Sequence, residues 1–266
     1  MSFINFINQF HSLYKDKKTS ILGGYYLKNS DSKSNLDNYI AKGKKVLSTA
    51  GGLSNNDIFF LYGICELLKP KNILIIGNAY GVSTIALRLM CPNSKVISID
   101  KYRTKGIKFT NSLLSKICKK SKAIKASSPD NLEEVSNTHF KNKIDLVFCD
   151  GFHSNKMINS EFNVLKNYIN PKGFFVFHDI LSCGMYKGFL EIKKNRNFKH
   201  FLVTKSNVGL GISFNKKIFT GNLKKKISNY LDFYCHQIST VNNFKKLLNF
   251  PKSKKFFFFP PHPQLW

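Results

Sequence analysis

Ile73-Leu74-Ile75-Ile76-Gly77-Asn78-Ala79-Tyr80-Gly81-Val82-Ser83-Thr84 decides the fold of this 266-residue chain. The apolar run 73–76 reads as a strand buried on both faces. Gly77 and Gly81 mark a tight turn, and the pattern from 82 to 90 reads as a helix. A strand feeding a helix through a small-residue turn lets a ligand approach backbone N–H groups closely. A nicotinamide-dinucleotide fingerprint would place glycine at 77, 79 and 82, whereas this chain has Ala79 and Val82. The turn therefore suits a ligand without a pyrophosphate.

The same alternation continues downstream. Strands are expected at 96–99, 122–126, 144–149 and 174–177, with helices at 82–90, 104–119, 129–136 and 155–169. Short apolar strands separated by helices predict an α/β fold: a doubly wound, Rossmann-like, mostly parallel sheet. A helix near 185–194 and closing strands at 200–204 and 209–214 follow. Upstream, a helix is expected from Ser54 or Asn55 to before Pro70.

Both ends look like helical appendages. Phe3, Phe6, Ile7, Phe10, Leu13 and Tyr14 recur at helical spacing, and 28–38 reads as a polar linker. From 216 onward the chain carries ten Lys and one acid, Asp232. Leu223, Ile227, Tyr230, Leu231 and Tyr234 share one helical face, and Val241, Phe244, Leu247 and Leu248 form a second stripe. These stripes are expected to dock on the parent domain, with homo-oligomer formation or anionic-membrane contact as the alternatives. The final run at 256–266, FFFFPPHPQLW, calls for burial or a partner. The expected division is 1–49 (helical appendage and linker), 50–215 (α/β domain) and 216–266 (basic helical extension).

Charge says less than it first suggests. Lys and Arg total 42 against 15 Asp and Glu, a net charge of +27, yet only Arg88, Arg103 and Arg196 are arginines. Base and phosphate readers lean on Arg, whose planar fork fits those acceptors. Lys, Asn, Ile and Phe also have A- and T-rich codons, so biased composition accounts for the excess. A nucleic-acid partner stays open but is not favoured. No apolar run approaches the roughly 18 residues of a membrane span, and the start MSFINFINQF lacks a secretory pattern. Six scattered Cys form no CxxC pair, so a cytoplasmic protein is expected.

Chemistry concentrates at strand ends. Asp100 closes the second strand about 20 residues past the turn, where a carboxylate can accept both hydroxyls of a ribose. Asp150 and His153 follow the strand at 144–149, and His178 and Asp179 follow the next. Ligands in such sheets sit at the carboxyl ends of strands, and four ionisable groups there are hard to explain by packing. Two chemistries fit. A histidine with a near-neutral pKa takes a proton from a substrate hydroxyl, His153 first and His178 second. Alternatively, Asp150 and Asp179 hold a divalent cation such as Mg that acidifies that hydroxyl. Glu161 is expected at the surface and Cys149 inside its strand.

The segments IIGNAYGVSTIAL (75–87), VISID (96–100), KASSPDNL (125–132), DLVFCDGFHS (145–154), NPKGFFVFHDI (170–180) and GLGISF (209–214) carry a resemblance. Over about 50–215 the chain resembles class I S-adenosylmethionine-dependent methyltransferases, in particular small, mostly O-directed ones with DG-x-H and HD motifs. The resemblance implies a seven-stranded sheet with a reversed last strand, S-adenosylmethionine as cofactor, and a small-molecule methyl acceptor such as a sugar or natural-product hydroxyl. It implies that Gly77, Asn78, Ala79, Tyr80 and Gly81 line the methionine part of the cofactor, with Ser83 also cofactor-binding. Asp100 then falls at the ribose and Ser127 and Ser128 at the adenine, with Lys101 and Asp150 also among the cofactor-binding residues. The chain departs from the family pattern at Ile75, often an acid, at Ala79, often Gly, and at Ser127, often Asp. The departures at Ile75 and Ala79 motivate a degenerate, non-catalytic cofactor-binding or scaffold protein as one alternative. An RNA methyltransferase is the other, although Asp150-Gly151-Phe152-His153 is not the turn of amine-directed relatives.

Overall fold

Ser2 starts the first helix, α1 (Phe3–Lys15), by accepting a hydrogen bond from Asn5 N, and the helix buries Phe6, Phe10, Leu13 and Tyr14. In this computed structural model the described residues are 1–17, 19–22, 38–43, 46–47, 53–102, 104–141, 143–203, 206 and 208–237. They divide into two units, Met1–Ser128 and Pro129–Trp266.

In the N-terminal unit, α1 leads to short strands β1 (Thr19–Leu22), β2 (Asn38–Gly43), β3 (Val46–Leu47) and β4 (Leu53–Ser54). These pair antiparallel around β2, where the sequence predicts only helix and linker. Apart from Asn38, the predicted linker lies outside the described residues. Helix α2 (Asn55–Leu68) begins with a capping box between Ser54 and Asp57. Then come β5 (Asn72–Ile76), α3 (Val82–Met90), β6 (Lys95–Asp100), α4 (Thr104–Ile117) and β7 (Lys122–Lys125). β6 lies between β5 and β7, all parallel, with Ile76 opposite Ile99 and Asp100 opposite Lys125. That register brings the turn after β5 and the carboxylate ending β6 to one edge.

The C-terminal unit contains α5 (Leu132–Phe140), β8 (Ile144–Cys149), α6 (Asn155–Leu165), β9 (Ile169–Phe177) and α7 (Tyr186–Lys193). It closes with β10 (Phe198–Val203), β11 (Leu210–Asn215), α8 (Gly221–Tyr234) and β12 (Cys235–Gln237). β8 and β9 are parallel, β11 runs antiparallel between β9 and β10, and β12 extends the β10 edge. Strands β5 to β11 are the seven strands of a Rossmann-like α/β fold, mostly parallel with the last reversed, as expected. Fully buried Phe162, Phe174, Phe175, Phe177, Phe189 and Phe214 fill the unit's core. Each contributes about 1.5–3 kcal/mol by burial.

Boundaries differ where local turns intervene. The helix expected at 129–136 spans 132–140 because Pro129 to Asn131 form a turn, after which Glu133 and Glu134 favour the helix start. β9 begins at Ile169 rather than 174 because Ile169 pairs with Ile144, and an irregular register absorbs Pro171 and Gly173. In α8 part of the expected stripe is buried, at Ile227 and Leu231, with Leu223 and Tyr230 half-buried, while Lys224, Lys225 and Lys226 are exposed. The stripe at 241–248 and the terminal aromatic run lie outside the described residues. Among the described residues no helix is long and apolar enough to cross a membrane.

Candidate active site

The turn after β5 is held by hydrogen bonds from four elements. Gly77 and Gly81 adopt left-handed backbone at φ 93° and 81°, and Ala79 does so at 43°. A Cβ at Gly81 would come within 2.4 Å of Thr110 Oγ1, so glycine is required twice over. Asn78 turns inward: Nδ2 donates to Ala79 O (2.9 Å) and Thr110 Oγ1 (3.0 Å), while Oδ1 accepts from Thr84 Oγ1 (3.1 Å) and Ser98 Oγ (2.8 Å). All four positions of its amide are used. From α1, Tyr14 Oη donates to Tyr80 O at 3.1 Å.

Asp100 has a structural role that sequence reasoning did not assign it. Its Oδ2 accepts from Ala79 N (2.9 Å) and Asn78 N (3.3 Å), and its Oδ1 from Tyr102 N (3.1 Å). The carboxylate thus shapes the turn. Tyr102, which sequence reasoning missed, presents a ring 67 % exposed beside it, with Lys101 Nζ 5.2 Å from the ring centroid. An aromatic two residues beyond a strand-ending acid was the available signal. Ser127 and Ser128 follow β7 at the same strand ends and are half-buried. Ser83 is buried in the first turn of α3.

The C-terminal unit holds the second group. Cys149 pairs with Phe177, and His178 N donates to Cys149 O at 2.9 Å, so Asp150 and His178 leave the sheet side by side. His178 Nδ1 lies 3.1 Å from both Asp150 Oδ1 and Asp179 Oδ2, and His153 Nε2 lies 3.4 Å from the same two oxygens. All four predicted residues therefore meet. Asp179 sits at φ 59°, a left-handed conformation for a non-glycine residue, and accepts from Ser182 Oγ at 2.5 Å. Side-chain exposure grades from 1 % at His178 through 11 % and 17 % at Asp179 and Asp150 to 31 % at His153. His153 is the member that an incoming molecule meets.

Mutual charge governs how the cluster titrates. Burial alone would lower His153, but its hydrogen bonds to Asp150 and Cys183 and the charges of Asp179 and Asp150 hold it at about 10. Burial also opposes the charge on His178, which the Asp179 and Asp150 carboxylates outweigh, keeping it well above the ordinary imidazole value. Asp150 and Asp179 resist burial in the same manner and stay below the usual carboxylate range, chiefly through the charge of His178. The near-neutral histidine expected from sequence is thereby corrected: two carboxylates across from His153 favour its charged form.

One further residue joins the cluster, and another lies buried behind it on α6. The Cys183 sulfur, His153 and Asp179 lie within 4.8 Å of one another, as do ligand atoms of Asp150, His178 and Asp179. The donor set is therefore carboxylate, imidazole and thiol, which suits a transition-metal dication better than Mg. Glu161, expected at the surface, is 1 % exposed and faces Cys149, whose thiol is raised first by burial and then by the Glu161 charge. Its place on the buried stripe of α6 with Ile158, Phe162 and Leu165 was the overlooked signal. Ile75 is fully buried in β5, so no carboxylate stands at that position.

Residues 74–180 match the family described as Methyltransferase domain. No curated protein matches the chain. Among solved structures, an O-methyltransferase from Bacillus cereus in complex with SAH aligns at TM-score 0.54 and 16 % identity, over 62 % of this chain and 83 % of that one. The O-methyltransferase TomG from Streptomyces achromogenes, involved in tomaymycin synthesis and solved with SAM, aligns at 0.53 and 18 %, over 62 % and 81 %. SAH-bound PaMTH1, a methyltransferase from Podospora anserina, aligns at 0.51 and 14 %, over 59 % and 77 %. At these identities the likeness is one of fold.

Proposed function

We propose, from the premise that residues 74–180 are a class I S-adenosylmethionine-dependent methyltransferase domain, that the chain methylates an oxygen of a small molecule. The observation that carries this reading is the meeting of Asp150, His153, His178 and Asp179 at the ends of β8 and β9. Such a group manages the proton of an attacking hydroxyl.

The N-terminal unit fits the cofactor. The left-handed turn at Gly77–Gly81 leads directly into α3, which begins at Gly81 without a side-chain cap. Its first amides suit the methionine carboxylate. Asp100 would take ribose hydroxyls, and the exposed Tyr102 ring would cover the adenine, with Ser127 and Ser128 nearby in sequence order after β7. Ile75 leaves the methionine amine without the acid that relatives often supply. When bound, S-adenosylmethionine supplies an electrophilic methyl group on a sulfonium.

In the C-terminal unit, His153 is the base. Held at about 10 by its carboxylates, it carries a proton at neutral pH and accepts one only when those charges are engaged elsewhere. Asp150, Asp179 and His178 would hold a divalent cation, which when bound supplies Lewis acidity toward the substrate hydroxyl. With both carboxylates so engaged, His153 loses the partners that keep it charged. Asp179 orients both imidazoles through its fixed turn, and Ser182 holds its second oxygen.

Labelled S-adenosylmethionine offered with fractionated small metabolites tests the reading. Label is expected in a hydroxyl-bearing compound, with a rate that rises with pH toward about 10 and shifts to lower pH when a transition-metal dication is added. Label entering RNA instead, or a rate indifferent to His153→Asn, would overturn it.

A further inference from the structure

The C-terminal ends of α3 and α4 border a feature that methyl transfer does not use. Arg88, Pro92, Asn93, Ser94, Cys118, Lys119 and Lys120 line a cavity of about 360 Å³. Arg88 is 7 % exposed, a charged side chain more than nine-tenths buried. It donates to Cys91 O at 3.2 Å and Ile117 O at 3.4 Å, the carbonyls ending both helices. Its Nε has no hydrogen-bond partner, and among the described residues no carboxylate pairs with it. Carbonyl dipoles offset a buried guanidinium only in part, and a buried charge ordinarily takes a counter-charge.

The group placed to supply that counter-charge is Cys118. Burial raises its thiol, but Ser121 Oγ at 3.6 Å, the Arg88 guanidinium and the Lys120 backbone outweigh burial and bring it down to about 7. About half is then thiolate at neutral pH, near the optimum for attack on a disulfide. Lys119 and Lys120 are exposed at the rim. Cys65, Cys91 and Cys149 are buried, and Cys183 belongs to the cluster of the other unit.

We propose that Cys118 is a site of thiol–disulfide exchange with small acidic disulfides, whose carboxylates are received by Arg88, Lys119 and Lys120. The Cys118 thiolate attacks one sulfur of R–S–S–R. A Cys118–S bond forms as the original S–S bond breaks, and the second sulfur leaves with the electron pair as R–S⁻. Cys118 is oxidised and half of the disulfide is reduced, with no further reagent. The thiolate consumed gives way to the ligand's carboxylates, so Arg88 keeps an anionic neighbour.

Oxidised glutathione serves as the acidic probe and bis(2-hydroxyethyl) disulfide as the neutral one. The full chain is incubated with each at pH 7, and adducts are assigned by peptide mass. One glutathionyl group is expected on Cys118, forming about tenfold or more slower in a Lys119→Glu/Lys120→Glu variant. Both rim lysines are exposed, so the variant should fold normally, and the neutral disulfide should be slowed several-fold less than oxidised glutathione. Modification of Cys183 in preference to Cys118, or an equal charge effect on both probes, would overturn the proposal.

Discussion

The turn of the N-terminal unit and the cluster of the C-terminal unit are built from opposite materials. The turn consists of backbone geometry and neutral amide and hydroxyl hydrogen bonds, with Asp100 as its one carboxylate. The cluster consists of two carboxylates and two imidazoles, each within 3.4 Å of opposite charge. The first fails when its shape is violated, and the second when its charge is. A cradle for a cofactor must be shaped before the ligand arrives, whereas a group that moves a proton must be able to change charge.

Gly81→Ala should break the steric side most severely. The new Cβ meets Thr110 Oγ1 at 2.4 Å on a left-handed backbone, a cost of roughly 2–5 kcal/mol that urea denaturation would read. Removing charge from the cluster comes next. Asp179→Asn should cost about 1.5–3 kcal/mol and let His153 fall from about 10 toward the ordinary value, with Asp150 still holding part of the rise, as imidazole NMR titration would show. An unchanged His153 would mean that the carboxylates do not set its charge.

A pH series sharpens the contrast further. His153 has a folded value near 10, above its ordinary 6.5, so its stabilisation is full below about 6.5 and is lost as pH rises through about 10. Asp150 and Asp179 are lowered from 3.8, so theirs is present above that value and lost as pH falls below it. The melting-temperature difference between wild type and His153→Asn should therefore shrink between pH 6.5 and 10, by a few degrees. Gly81→Ala should show the same deficit throughout. The smallest effect is expected at Ala79→Gly. Relief of backbone at φ 43° is offset by greater freedom in the unfolded chain, leaving stability within about 0.5 kcal/mol.

Sequence periodicity located the strand–turn–helix unit because β5 is a continuous apolar run and α3 follows at once. The four cluster residues were legible for the same reason, each standing within four residues of the end of a buried strand. Side-chain direction was not legible. Asn78 looked like a cofactor residue but satisfies its amide against Thr84, Ser98 and Thr110, partners from three elements that no local pattern connects. His153's charge state was hidden likewise, since it depends on Asp179, brought close only by the register of β9 against β8. Tyr102 and Cys183 lie in turns, where periodicity carries no signal.

The division of labour itself is most directly tested by titrating S-adenosylhomocysteine calorimetrically into wild type, Asp100→Ala and His153→Asn. Wild type and His153→Asn should bind with the same Kd within about twofold, with turnover lost only in the latter, while Asp100→Ala should give no binding heat. Loss of binding in His153→Asn as deep as in Asp100→Ala would contradict a cradle and a proton-handling group that act as separate parts.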